Sequence, residues 1–554
     1  MKVFTRKLIL FLSLVLFEGC LVRSEKVSYD YTASIECVKE PEKPLYGGGI
    51  ISSAEAPAHK SAGGKKLLMA KTKSSAPVKG SVLKVELQKD HHYALSAWLQ
   101  LSKGAGDISA VIVTPDGKFN TAGVIAAQSG CWTLLKGGAT SFAEGKGDLF
   151  FESNSTAEIM AESIALQGFS FDEWKAHRDE DLRQERKKKV KITVESDGSP
   201  VPDAELSVEW VAKGFPLGNA MTKEILDMPE YEEWFTKRFK WATMENEMKW
   251  YSTEFHEGHE EYEVADKMLE LAQKHNISVR GHNVLWDDQS HQMEWVSKLS
   301  LPKLKEAVAK RLKSVVSRYA GKLIHWDVVN ENLHFNFFED KLGKDASGEI
   351  FKEVAKLDDK PILFMNEFNT LEQPNDPAPL PTKYLAKLKQ IQSYAGKDLK
   401  YGIGLESHFD KPNIPYMRGS LDTLAAAKVP IWLTEVDVTK GPKQVEYLEE
   451  VMREGFAHPG VKGIVLWAAW HAKGCYVMCL TDNNFKNLPV GDTIDKLLEE
   501  WRKVPEKAKT DDKGVFEAEL FHGEYNVTVK HKSLKEPVVR TVDLDSKSEA
   551  TIKA

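Results

Sequence analysis

The chain has 554 residues, which at roughly 100–200 residues per domain is enough for two to four domains with full cores. Its 28% charged and 42% hydrophobic residues exclude a disordered or fibrous chain, and 75 Lys plus Arg against 82 Asp plus Glu leave a net charge of −7. That balance lacks the basic footprint a phosphate backbone selects, so nucleic acid is not an expected partner.

At the N-terminus, Lys2, Arg6 and Lys7 flank the apolar run LILFLSLVLF at 8–17. The run is too short to span a bilayer comfortably and has the grammar of a secretory signal peptide over 1–24. No second long apolar run follows, so the expected mature protein is secreted, extracellular or in the cell wall, with no membrane segment. Cleavage near Ser24 removes Cys20 and leaves Cys37, Cys131, Cys475 and Cys479. An even number in a secreted chain favours disulfides, and the expected pairs are Cys37–Cys131 and Cys475–Cys479. Sequons at Asn154, Asn276 and Asn526 fit the same route.

From 28 to 170 the chain is written in short strand-like runs between Gly, Ser and Pro: SVLKVEL (81–87), YALSAWL (93–99), ISAVIVT (108–114) and DLFFES (148–153). Such spacing predicts a β-sandwich. The charged segment 171–188 has helical composition and interleaves acids with bases, which predicts a solvated linker helix. From 213 to 506 strand runs alternate with amphipathic stretches. The strands are FPLG (215–218), FKWATM (239–244), ISVRGHN (277–283), LIHWDVVN (323–330), PILFMN (361–366), YGIGLE (401–406), IWLTEV (431–436) and GIVLWAA (463–469). Eight such units over about 290 residues predict a (β/α)8 barrel. A doubly wound sheet is the alternative, but no G-x-G-x-x-G follows the first strand. Segments 189–212 and 507–554 both alternate apolar and polar residues. Read together they resemble one transthyretin-like β-sandwich split by the barrel, an inexpensive insertion because barrel termini lie close together. The expected fold is thus α/β: a (β/α)8 TIM barrel with an N-terminal, jelly-roll-like β-sandwich and a small split sandwich at its flanks.

Most barrel strand runs carry Glu, Asn, His or Trp at or near their C-terminal ends, the end of the barrel where such enzymes build their sites. Glu331 closes the fourth strand and Glu435 the seventh, across the mouth from each other. Two facing carboxyls are what glycoside hydrolysis needs, one to protonate the leaving oxygen and one to attack or to activate water. Spacing alone leaves two salt-bridged rim glutamates equally open. The local words WDVVNE (326–331), LTEVD (433–437), ENEMKW (245–250), RGHNVLWDDQ (280–289) and GIGLESHF (402–409) decide between them. From 215 to 501 the chain resembles family 10 glycoside hydrolases, the (β/α)8 endo-β-1,4-xylanases, and their plant members in particular.

That resemblance implies retaining hydrolysis of xylan or xylo-oligosaccharides with no cofactor and no metal. It makes Glu331 the general acid/base, Glu435 the nucleophile, His408 the residue that orients the nucleophile, and Asp437 the support behind His408. It makes Glu245, Asn246, Lys249, His282, Trp286, Gln289, Asn330, Glu406 and Trp467 sugar contacts. The sequence also departs from the family pattern. The usual Trp-His-Ser-Gln is Trp286-Asp287-Asp288-Gln289, a family glutamine is Glu406, and the loop 467–485 carries no match to the second cleft tryptophan. Glu406 is expected to be ionised and to raise the pKa of Glu331 through its charge. The N-terminal segment resembles the family 22 xylan-binding modules of plant xylanases through SGCWTLLKGG (129–138). Its candidate platforms are Tyr46, Trp98 and Trp132, each equally a core residue. HEGHE (256–260) does not match the zinc motif H-E-x-x-H, GGG (47–49) lacks the Lys-Ser/Thr of a phosphate loop, and His91-His92 is expected on a strand edge. A transglycosylase with the same glutamates and a catalytically silent wall-binding protein are the competing functions. The protein is expected to be a monomer.

Overall fold

A computed structural model describes residues 27–51, 59–60, 66–70, 78–79, 82–212, 214–505, 508–544 and 549–553. The signal peptide expected over 1–24, with Cys20, lies outside the described residues. Among those described, no helix is long and apolar enough to cross a membrane.

Eight parallel strands close a barrel: Leu217–Met221, Trp241–Met244, Ser278–Trp286, His325–Asn330, Ile362–Glu367, Tyr401–Leu405, Ile431–Val438 and Val461–Leu466. The first pairs with the eighth (Leu217 beside Ile464) and the sixth with the seventh (Ile403 beside Ile431), which completes the ring. Runs such as Ile431–Val438 are buried at every position, as parallel strands covered on both faces require. The outer helices bury one stripe only. Glu263–Lys274 sinks Ala265, Met268, Leu269 and Ala272, spaced by three and four residues. Proline in the first turn of Leu301–Arg318, Pro381–Ala395 and Pro489–Trp501 marks their starts without costing a hydrogen bond.

The N-terminal region forms two packed five-stranded sheets around Leu95, Leu99, Ile112, Leu135, Leu149 and Phe151. Cys37 is bonded to Cys131, tying the N-terminal arm to this sandwich. Trp98 and Trp132 are not sugar platforms: at 4% and 7% exposure they pack on Leu134 beneath that arm. Tyr46 packs edge-on against Tyr29 and Phe169. His91 and His92 open an interior strand that is paired on both sides, not an edge. His92 sits under Phe171 and Trp174.

Helix Phe171–Arg186 is not a solvated linker. Its outer face is charged, but Trp174, Asp181 and Arg186 are buried, and it lies against the barrel helix Gln444–Ala457. Periodic charge reports the exposed face of such a helix and hides a narrow buried one. The sandwich docks on the barrel through the strand Thr133–Ser141 and the helix Ile414–Ala425. Glycines make this approach possible: a Cβ on Gly419 would meet the Gly137 nitrogen at 2.6 Å. Around the contact, Lys136 pairs with Asp422 at 2.6 Å, and the Tyr29 hydroxyl donates to Asp422 at 2.8 Å. Arg418 pairs with Glu454 and Asp181 at 2.5 and 2.9 Å.

The two flanks of the barrel form one small sandwich. Lys187–Ser196 pairs antiparallel with Val515–Phe521 and parallel with Glu549–Lys553. Glu205–Ala212 pairs antiparallel with Glu524–Lys530. Their shared core includes Val190, Ile192, Val194, Leu206, Val208, Tyr525, Val527 and Val529. Arg186, the residue before this unit, ties it to the start of the eighth barrel strand by donating to the carbonyls of Phe456, His458 and Val461 at 2.6, 2.9 and 2.7 Å.

Candidate active site

Glu331 stands just past the C-terminal end of the fourth strand, and Glu435 in the C-terminal half of the seventh. Glu331 follows the fourth strand with φ of 60°, a left-handed conformation unusual for a side chain of this kind. Its N–H donates to the Asn366 carbonyl at 2.9 Å, which fixes the turn. Asn330 donates to Glu331 Oε1 at 3.0 Å. Glu435 lies within the seventh strand and accepts from Asn366 Nδ2 at 2.8 Å. The same Nδ2 lies 3.0 Å from Asn330 Oδ1 and 3.2 Å from Glu406 Oε1, while Thr434 donates to Asn366 Oδ1 at 2.5 Å. Asn366 is therefore the hub that links both carboxyls, and sequence reasoning missed it. The signal was present, because it ends the strand run PILFMN.

His408 Nε2 lies 3.7 Å from Glu435 Oε2 and 3.4 Å from Glu406 Oε2, and its Nδ1 lies 3.0 Å from Asp437 Oδ1. His282 Nδ1 lies 2.9 Å from Asp327 Oδ2 and 4.0 Å from Glu435 Oε1, and Arg280 clamps Asp327 from below at 2.5 Å. Lys249 is buried, donates to Asn246 Oδ1 at 3.2 Å, and sits 4.6 Å from the Trp286 ring centre and 5.9 Å from that of Trp467. Trp467 meets His282 edge-to-face at 5.4 Å.

These neighbours drive the two carboxyls apart. Burial pushes Glu331 up to about 8, aided by the charges of Glu367 and Glu435 and opposed by the Trp286 indole and Lys249. Burial also acts to raise Glu435, but His282, His408 and Lys249 together hold it at about 2. His408 is buried, which disfavours its charge, yet Asp437, Glu406 and Glu435 keep its pKa well above the ordinary histidine value. At neutral pH one carboxyl thus carries a proton and the other a charge, the division of labour between an acid and a nucleophile.

The surroundings of Glu406 work against the ionisation expected of it. It is fully enclosed, and burial together with the charges of Glu435 and Glu331 raises its pKa well above the carboxylate range. His408 opposes this rise at 3.4 Å, but Glu435 draws on His282 and Lys249 as well as His408, so of the two carboxyls Glu406 is the one that burial disposes to keep a proton.

The remaining predicted contacts divide. Glu245 and Asn246 line the site with Lys249, and Asn246 also accepts from the Tyr251 hydroxyl at 2.7 Å. Trp286 is half-buried and stacked on His291 at 3.8 Å, so a histidine lies on this ring although it stands five residues after it in the chain. Gln289 is exposed in the turn Gln289–His291, outside the hydrogen-bonded network. His471, missed in sequence, pairs with Glu245 at 2.6 Å. His334 and Glu367, also missed, pair at 2.5 Å beside the Glu331 turn, and Glu367 accepts the Leu333 N–H at 2.8 Å. Cys475 is bonded to Cys479 in the loop after the eighth strand. Of the sequon residues, Asn154 and Asn276 are exposed and Asn526 is half-buried in a strand.

Residues 206–486 match glycosyl hydrolase family 10. Endo-1,4-beta-xylanase 4 of Arabidopsis thaliana is 37% identical over 548 residues, covering 95% of this chain and 94% of its own. Endo-1,4-beta-xylanase 5 of the same plant is 38% identical over 540 residues, with 95% and 94% covered. Among solved structures, xylanase 10B from Thermotoga petrophila in complex with xylobiose is 23% identical, with a TM-score of 0.46 over 52% of this chain and 94% of that one.

Proposed function

The chain belongs to glycosyl hydrolase family 10 and is a glycoside hydrolase, and from that premise we propose that it hydrolyses internal β-1,4-xylosidic bonds of cell-wall xylan with retention of configuration. The observation that carries this is the pair Glu331 and Glu435, linked through Asn330 and Asn366 and held in opposite protonation states. The near-full-length likeness to two plant enzymes named as endo-1,4-beta-xylanases supports the substrate.

In the first step the Glu435 carboxylate forms a bond to the anomeric carbon. The glycosidic C–O bond breaks and Glu331 gives its proton to the departing oxygen. In the second step Glu331, now a carboxylate, takes a proton from water as the water oxygen bonds to the same carbon. The bond to Glu435 breaks and both residues return to their starting states. As negative charge leaves Glu435 during the first step, the pKa of Glu331 falls, which favours release of its proton in that step and leaves it the carboxylate that the second step uses as base. Lys249, Asn246 and Glu245 offer donors and acceptors to sugar hydroxyls, and Trp467 an apolar ring face. Secretion through the N-terminal signal belongs to the same proposal and accords with the two disulfides.

Incubation with xylan and with xylohexaose, followed by product analysis, tests it. The expected products are short xylo-oligosaccharides from internal cleavage. Products longer than the substrate would assign transglycosylation, and an unchanged substrate would point to a silent binding protein.

A further inference from the structure

Beyond the eighth strand the chain does not turn directly into its helix. It runs through a segment, 467–488, whose tip is closed by the Cys475–Cys479 disulfide. The base of this segment is fixed. Met478 and Leu480 are buried, Phe485 stacks on Tyr231 at 5.6 Å, and Leu480 accepts the Leu488 N–H at 2.8 Å. Two side chains reach from it to opposite sides of the barrel mouth. His471 pairs with Glu245 beyond the second strand. Tyr476 lies with its ring centre 6.0 Å from His408, at 66°, beside the seventh strand.

Tyr476 is the most exposed large hydrophobic side chain among the described residues, at 70%. A tyrosine on a mobile tip loses its freedom on binding and gives little net affinity. Here the disulfide and the buried anchors restrain the backbone beforehand, so less is lost when a ligand covers the ring. The ring stands next to His408, which itself lies 3.7 Å from Glu435, so a ligand engaging the nucleophile passes within its reach. The C–H face of a pyranose is the apolar surface suited to an exposed aromatic ring in such a place.

We propose that Tyr476 is a sugar-stacking residue of the cleft, held in place by the Cys475–Cys479 loop, and that it sets affinity for xylo-oligosaccharide chains. This rests on the xylan assignment above. Its ring, not its hydroxyl, carries the effect.

The test compares the full-length wild type with Tyr476→Ala and Tyr476→Phe on xylohexaose, with binding of the same oligosaccharide measured in a Glu435→Gln background. Because Tyr476 is exposed, its truncation leaves the core intact, and matching melting curves verify this. Tyr476→Ala is expected to lower kcat/KM roughly 5- to 10-fold, mainly through KM, as for loss of one ring contact. Its affinity in the inactive background should weaken by a similar factor, and Tyr476→Phe should recover most of both losses. Unchanged KM and affinity in Tyr476→Ala would overturn the assignment, as would equal losses in the two variants, which would place the effect in the hydroxyl. A wild type inactive on xylohexaose and xylan would instead overturn the functional assignment, and this inference with it.

Discussion

Glu331 cannot be both buried and charged at low cost, and its position uses that fact. Burial holds its pKa near 8, so it stays protonated until pH rises through that value, and the alkaline limb of kcat/KM should fall there. Glu406 bears on where this limb lies. Were it ionised, its charge would raise the limb, and Glu406→Gln would bring the limb down by about one unit. Since burial and two neighbouring carboxyls raise its pKa instead, Glu406→Gln should leave the limb within ~0.3 units of wild type. A pH series of kcat/KM on an aryl xylobioside measures this, and a clear downward shift would show a charged Glu406. The glutamates themselves were legible because each falls on the C-terminal side of a strand run inside a distinctive word. Glu406's protonation was not, because it depends on how His408 and Lys249 are shared among three carboxyls, and that is fixed only in three dimensions. Asn366 and His471 escaped for a related reason: each acts through partners 36 to 226 residues away.

At the scale of elements, all eight barrel strands were readable because buried parallel strands are written as continuous apolar runs. The helix Phe171–Arg186 was misread because its buried face is narrow. The strand Thr133–Ser141 and helix Ile414–Ala425 illustrate what periodicity leaves unsaid. Their contact depends on the absence of side chains at Gly137 and Gly419, and a missing Cβ carries no hydrophobic signal. Gly419→Ala would place a methyl group 2.6–2.8 Å from backbone atoms of Lys136 and Gly137. These cannot rotate away, so the strand and helix must separate. The expected destabilisation is about 1–3 kcal/mol, read from denaturant unfolding. Wild-type stability in this variant would mean that the two elements are not in close contact.

For the whole molecule, the N-terminal sandwich is part of one folded body with the barrel. The charges of Asp422, Arg418 and Glu454 are buried where the two meet, partnered by Lys136, Tyr29, Asp181 and Trp174 from the N-terminal side. Removing one partner of a buried pair costs roughly 3–5 kcal/mol, and deleting residues 27–186 would remove all four at once. The truncated barrel should therefore be insoluble, and calorimetry of the intact protein should show sandwich and barrel melting in one transition. A soluble, active truncated barrel, or two resolved transitions, would show independent units. The split sandwich has a similar logic, since Lys187–Ser196 has both its long partners beyond residue 514.

The assignment of Glu435 as nucleophile and of the reaction as retaining meets its most direct test in trapping the intermediate. A 2-deoxy-2-fluoro-β-xylobioside with a dinitrophenolate leaving group destabilises both transition states but needs little acid for the first step, so a covalent glycosyl-enzyme should accumulate. Peptide mass spectrometry should then find one 2-deoxy-2-fluoroxylobiosyl addition, without the dinitrophenyl group, on the peptide that contains Glu435, with activity lost in parallel. An adduct on another residue, or no adduct while turnover of xylohexaose releases the α-anomer first, would contradict it.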